Sequence, residues 1–199
     1  MSLGRARILD AALALAADRH WEALRLRDVA EELGVGLSDL HPCLGEKEDL
    51  VDWFWDRADA VMLSQCRGPD FDALEFSRRY ETCVLAWLSV PLSHRRTFRE
   101  MLYVRMEPGH LHIQLPTLLR VSRTVQWMRE ACGRRGTFLR RATEEVVLSS
   151  LFVSALADSL NDDSLGGQRS RDRLQRHIRW AVSAGRLWPT TPPRTPHSL

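Results

Sequence analysis

The stretch "GVGLSDLHPCLGEKEDL", residues 34–50, has the outline of a turn, a short helix and the start of a longer one. Gly34 suits the left-handed position that stops a helix. Ahead of it Leu26, Val29, Ala30 and Leu33 recur at i, i+3, i+4 and i+7, the spacing of one buried helix face. After it Leu37, Leu40 and Leu44 are expected to form the inner edge of a third, short helix. Glu46, Glu48 and Asp49 crowd the first turn of a fourth, where carboxylates favour the helix dipole. Together these read as a helix-turn-helix outline.

Working outward, Ile8, Leu9, Ala12, Leu13 and Ala16 keep helical spacing in a first helix. The fourth helix is expected to bury Leu50, Trp53, Phe54, Ala58, Val61 and Met62, with Trp55 beside that stripe, facing the seam between two domains. Arg67-Gly68-Pro69-Asp70 breaks the chain. Longer helices follow. One is expected from about Asp72 to Val90, with Leu74, Val84, Trp87 and Leu88 inward and Pro91 ending it. Another covers about Ser93 to Arg105, before a loop at Glu107-Pro108-Gly109. Pro116 suits the first turn of the next, which lasts to Cys132. Thr137 to Leu160 is apolar on more than one side. A last helix runs from about Ser170 to Ala184, capped near Gly185, with Leu174, Ile178, Ala181 and Val182 inward. No strand pattern and no internal repeat interrupts this series.

The composition is that of an ordinary globular protein: 199 residues, 44% apolar and 27% charged. The longest largely apolar run, Val146 to Ala157, is too short to span a bilayer. Two early arginines are followed by no small-residue cleavage site, so no signal peptide is read. Cys43, Cys66, Cys83 and Cys132 form no C-x-x-C pair, which points to reduced thiols in a cytoplasmic protein. The formal charge of +2 conceals an asymmetry. Met1 to Arg67 holds eight basic and thirteen acidic residues, a net −5, so the remainder carries +7. The end that carries the helix-turn-helix outline is the acidic end.

The residues "RILDAALALAADRHWEALRLRDVAEELGV", with Leu40, Leu44, Lys47 and Leu50 after them, resemble the first four helices of TetR-type transcriptional regulators. The resemblance covers roughly the first 55 residues. It implies an all-α, TetR-type fold in which the third helix of each subunit of a dimer enters the major groove. Carried onto this chain, it implies DNA contacts from Leu37, Ser38, Asp39, His41 and Lys47, with Arg27 on the second helix. The sequence departs from the family at the tip. Asp39 stands where a small hydroxyl residue is common, His41 where tyrosine is common, and Pro42 cannot donate a backbone N–H. Because affinity for duplex DNA rests mainly on neutralised phosphates, Asp39 is expected to weaken it.

A second resemblance lies further along. "LVDWFWDRADAVML" and "ATEEVVLSSLFVSALADSLNDDSLGGQRSRDRLQRHI" are similar to the accessory lipid-binding family of ubiquinone biosynthesis. That family shares the TetR-type fold, and the similarity implies a lipid carrier with peripheral membrane contact in place of DNA binding.

Among seven tryptophans, several fall in the expected helices of the larger domain. Trp87, Leu88, Leu119, Trp127, Leu148 and Phe152 are the candidate lining of a mainly apolar cavity for a small apolar effector or lipid. His110-Leu111-His112 lacks a recognisable third ligand, so no metal is expected. Arg169, Arg171, Arg173, Arg176 and Arg179 around the last helix form a solvated face or a surface for anionic groups. No nucleophile elbow, phosphate loop or paired-carboxylate signature appears, so neither catalysis nor a cofactor is expected. The expected organisation is a helix-turn-helix domain over 1–50, a connecting helix over 46–66, a ligand-binding and dimerisation domain over 51–188, and a disordered tail over 189–199. The expected function is a ligand-responsive regulator, a homodimer that binds an operator duplex.

Overall fold

The computed structural model describes residues 3–105, 111–134, 138–184 and 187, with backbone alone at 111–116 and 138. Its regular elements are all helical: α1 (Arg5–Asp18), α2 (Leu26–Leu33), α3 (Leu37–Leu40), α4 (Glu48–Gln65), α5 (Pro69–Asp72), α6 (Phe76–Ser93), α7 (Arg95–Arg105), α8 (Leu111–Ala131), α9 (Phe138–Leu160) and α10 (Gln168–Ser183). A short 3-10 turn, Leu165–Gly167, precedes α10. The Glu107-Pro108-Gly109 loop, the His110/His112 pair, the cap near Gly185 and the tail from Pro189 lie outside the described residues or side chains.

By packing, the chain forms two compact units, one of residues 1–65 with 85–121 and one of 66–84 with 122–199. The helices α6 and α8 each contribute residues to both. In the first unit, α1 buries Ile8, Leu9, Ala12, Leu13 and Ala16, the face its spacing predicts. Trp21, Leu24, Val29, Ala30, Leu40 and Leu44 complete that core. From α4 come Leu50, Val51, Phe54, Trp55, Ala58 and Met62. Phe54 stacks on Phe98 at 5.2 Å, and Trp55 lies 4.8 Å from Trp87 and 6.0 Å from Phe98. Trp55 is therefore a core residue of this unit, while Val61, expected inside, is half-buried.

Within the second unit, Phe76, Tyr80, Cys83 and Val84 of α6 are buried, as are Val125, Met128 and Cys132. So are Leu148, Phe152 and Ala155 of α9, and Leu174, Ile178 and Ala181 of α10. Val182, expected on the inner face, is exposed, because Ile178 and Ala181 already occupy the inward positions of that turn. The Tyr80 hydroxyl donates to the Leu148 carbonyl at 2.6 Å, tying α6 to α9. All four cysteines are free thiols, and Cys83 and Cys132 approach to 3.8 Å between sulfurs. The hydrogen bond with Cys83, together with burial, pushes the Cys66 thiol far up, which keeps it protonated and unreactive.

The middle of the chain differs from its sequence reading. The helix expected from Asp72 is instead the short α5 followed by α6, and Leu74 sits exposed in the link. Pro91 lies inside the last turn of α6 and does not end it. Near a helix C-terminus a proline sacrifices one donor, to the carbonyl four residues back, while its fixed φ still suits the helix. Similarly, α8 starts at Leu111, five residues ahead of the proline expected to open it.

Candidate nucleic-acid interface

The interface is built from α2, a three-residue turn and α3. The N–H of Arg25 donates to Asp28 Oδ2 at 2.9 Å, which closes the first turn of α2. At the other end Gly34 takes φ +68°, so its N–H reaches Glu31 O at 3.0 Å and that of Val35 reaches Ala30 O at 3.0 Å. Only glycine holds this left-handed conformation without a Cβ penalty, and the chain turns there. The N–H of Gly36 then donates to Asp39 Oδ2 at 2.9 Å and starts α3.

One regular turn of α3 is present, continued by bonds from His41 N to Leu37 O (2.9 Å) and Leu44 N to Leu40 O (3.2 Å). Leu40 and Leu44 are buried and anchor it. Leu37, expected on the same inner edge, is instead 47% exposed at the tip with Ser38, Asp39 and His41. With so short a helix, Leu37 falls in its first turn, where Leu40 alone reaches the core. Arg27 is exposed on α2. Five of the six residues assigned to DNA contact (Arg27, Leu37, Ser38, Asp39 and His41) therefore lie on the surface.

The sixth does not fit that role. Lys47 turns its ammonium inward, donating to the carbonyls of Trp21 and Glu22, the latter at 3.2 Å, with Nζ 5.1 Å from the Trp21 ring centre. Burial lowers its pKa. Its charge is used to clamp the α1–α2 loop to the start of α4, and a phosphate contact would require giving up these bonds. Asp39 also has a second role: besides its charge, it supplies the acceptor that opens α3.

The loop clamped by Lys47 is held from the other side as well. Glu100 of α7 accepts the Trp21 N–H at 2.6 Å and pairs with His20 at 2.9 Å and Arg96 at 3.2 Å. Burial acts to raise the Glu100 pKa, but these hydrogen bonds outweigh it and leave the carboxyl below its ordinary range.

Sequence reasoning missed what holds α4. Its residues Asp52, Asp56 and Asp59, spaced at i, i+4 and i+7, lie along one face of the helix. Arg105 of α7 pairs with Asp52 at 3.0 Å and donates to the Glu48 carbonyl at 3.0 Å. Arg120 of α8 pairs with Asp56 and lies 3.4 Å from Asp59, which also accepts the Trp87 indole N–H at 2.8 Å. Arg105, Arg120 and Asp59 are buried. These pairs alter the electrostatic reading: including residues 85–121, the first unit holds twelve basic against fifteen acidic residues, a net −3.

The six residues expected to line an apolar cavity are not brought together within either unit. Trp87 and Leu88 are buried in the first, Leu148 and Phe152 in the second. Leu119 is 60% and Trp127 48% exposed. On that turn of α8 Arg120 takes the inward direction, which leaves Leu119 outside; Val125 and Met128 do the same to Trp127.

A bundle of helices carrying a helix-turn-helix with an exposed tip is the class of DNA-binding regulator. Among solved structures, the chain is similar to a TetR transcriptional regulator from Nitrosomonas europaea, with 36% identity and a TM-score of 0.79, over 90% of this chain and 98% of that one. A TetR transcriptional regulator from Rhodococcus sp. RHA1 shares the fold, with 17% identity and a TM-score of 0.64, over 89% and 94% of the two chains. No family model matches the chain, and no curated protein does. The protein belongs to the TetR family of transcriptional regulators. The resemblance to the ubiquinone accessory family gains no support from these likenesses. Among the described residues no helix is long and apolar enough to cross a membrane.

Two outcomes test this arrangement. Lys47→Met removes a charged donor to two carbonyls and is expected to lower stability by about 1–2 kcal/mol in urea unfolding; an unchanged midpoint would show the clamp to be idle. Glu100 has a depressed folded-state pKa, so its contribution is present above the ordinary glutamate range and is lost as pH falls through the lower folded value. Glu100→Gln is therefore expected to be less stable than wild type at neutral pH and to converge with it as pH falls through that lowered folded value, read by thermal melts across pH.

Proposed function

We propose that the protein is a ligand-responsive transcriptional regulator that binds an operator duplex as a homodimer. The observation that carries this reading is the ordered α2–turn–α3 unit, with Arg27, Ser38 and His41 exposed around its tip, in a chain of the TetR family. Arg27, Ser38 and His41 supply phosphate or base contacts, Leu37 an apolar contact, and Asp39 opposes phosphate while its side chain caps the start of α3. An effector acts by binding one spacing of the two reading heads better than another.

Support for the dimer comes from α9. Leu139, Val146 and Val153, seven residues apart, are exposed along one face of a helix whose other face is buried in the second unit, and Leu139 and Val146 are 75% and 67% exposed. Trp180 and Val182 of α10 are exposed too. A stripe of this kind suits an isologous contact in which each copy covers the other.

Selection from random duplexes is expected to yield a two-fold site, bound with a steep salt dependence. Asp39→Asn keeps an oxygen that can accept from Gly36 and removes the charge, so it is expected to tighten binding several-fold, about 1 kcal/mol, at unchanged melting temperature. Recovery of no enriched duplex would overturn the DNA-binding reading.

For the dimer, light scattering at micromolar concentration is expected to give twice the chain mass. Val146→Asp with Val153→Asp sets like charges against each other across the two-fold axis. This double variant is expected to be monomeric with unchanged helical content. A wild-type monomer would exclude the α9 interface.

A further inference from the structure

Within the second unit three arginines converge on a single carboxylate. Glu144 of α9 is buried and takes the Arg134 guanidinium in a two-point contact, with Nε 3.3 Å from Oε2 and Nη2 on Oε1. Arg140, one turn earlier on α9, places Nε 3.4 Å from Oε1. Arg129 of α8 comes no closer than 3.7 Å to Oε2, beyond hydrogen-bond reach, although it is itself buried. Three guanidiniums around one carboxylate leave this set two charges positive.

The donors are not all used. The Nε of Arg129 is buried with no hydrogen-bond partner, and so is the Nε of Arg79 on α6. A guanidinium cannot shed its proton to escape such a position, so each buried N–H without an acceptor keeps its desolvation cost. Arg79 belongs to the same neighbourhood. Its Nη1 lies 3.4 Å from the point a side chain at Gly133 would occupy, and Gly133 itself holds φ +69°. Next to it, the Arg134 guanidinium lies 4.4 Å above the Phe76 ring, which fixes its plane. Arg140 is 43% exposed, so one member of the cluster reaches solvent.

We infer that this cluster is a binding site for a small organic oxyanion, a carboxylate or a phosphoryl group carried by an effector, with Arg129 as the residue that grips it. Glu144 serves as the resident tether that orients and places Arg134, while the arriving anion takes the Nε–H of Arg129, which has no acceptor. Guanidinium groups suit both oxyanions because their paired N–H groups match two oxygens at once. The inference rests on the reading of the protein as ligand-responsive and gives its effector a charge, where the sequence suggested an apolar compound.

The test uses the full-length protein, with inorganic phosphate and octanoate as separate probes against sodium chloride at matched ionic strength. At least one probe is expected to raise the melting temperature by several degrees and to shift the Arg129 Nε–Hε resonance in a spectrum of the wild-type protein. Phosphate alone points to a phosphoryl ligand, octanoate alone to a carboxylate. Arg129→Gln is expected to lose the melting shift, while Arg171→Gln, an exposed change on α10, keeps it. The site is refuted if neither probe moves the melting temperature or the resonance in wild type, or if the shift survives in Arg129→Gln. Operator binding is measured apart: intact DNA binding without any anion effect sinks the site alone, and anion binding without DNA binding leaves the site standing while the regulator reading falls.

Discussion

The first unit depends on how the carboxylates of α4 are neutralised. A buried aspartate is costly unless it is paired and hydrogen-bonded. Asp59 meets both conditions, with the Trp87 indole N–H and the Arg120 guanidinium on its two oxygens. Arg120 also serves Asp56, and Arg105 serves Asp52 and the carbonyl of Glu48. One helix is thus fastened at its start, middle and later turns by two arginines more than fifty residues away in sequence. The aromatic packing of Trp55, Trp87 and Phe98 forms beside those bonds, so charge pairing and apolar burial define the same position for α4.

The reading end of α4 is fastened by a different logic. Lys47 just before it donates to two carbonyls of the α1–α2 loop, and Asp49 accepts the N–H groups of Gly45 and Glu46 at 2.9 and 3.1 Å. These are helix-end and loop contacts, each worth about 1 kcal/mol. On the core side Arg105, Arg120 and Asp59 are buried, whereas the rim contacts lie nearer the surface. A rim of that kind is easier to reposition than the core, and α3 directly precedes it in the chain.

Much of this fold is legible in the sequence, because burial imposes a period. The α1 face, the Gly34 stop, Leu40 and Leu44, and Leu174, Ile178 and Ala181 of α10 follow from apolar spacing and glycine geometry. What periodicity cannot convey is the partner of a charge. Asp52, Asp56 and Asp59 read only as part of the acidic excess of the first third, yet Arg105 and Arg120 answer them from α7 and α8. Lys47 reads as a phosphate contact because nothing local reveals the carbonyls of Trp21 and Glu22 as its acceptors. Leu119 and Trp127 fit an apolar pocket by residue type, but the inward angle on their turns belongs to Arg120 and to Val125 and Met128. Leu37 fails for a simpler reason: α3 is one turn long, too short for a stripe. The i, i+4, i+7 spacing of the three aspartates was the signal available, and its meaning needed the arginines opposite.

The sharing of Glu144 among Arg129, Arg134 and Arg140 also bears on how this chain can drift by mutation. An isolated ion pair can be lost in two steps, through an intermediate that strands one charge. Loss of Glu144 removes at one stroke the acceptor that Arg134 and Arg140 share and the carboxylate nearest the buried Arg129. Replacement of one arginine is milder, since the carboxylate keeps other partners. The lineage can therefore exchange the guanidiniums one at a time, but it must hold the carboxylate throughout, while Val146, two residues on and facing outward, is under no such constraint from this network.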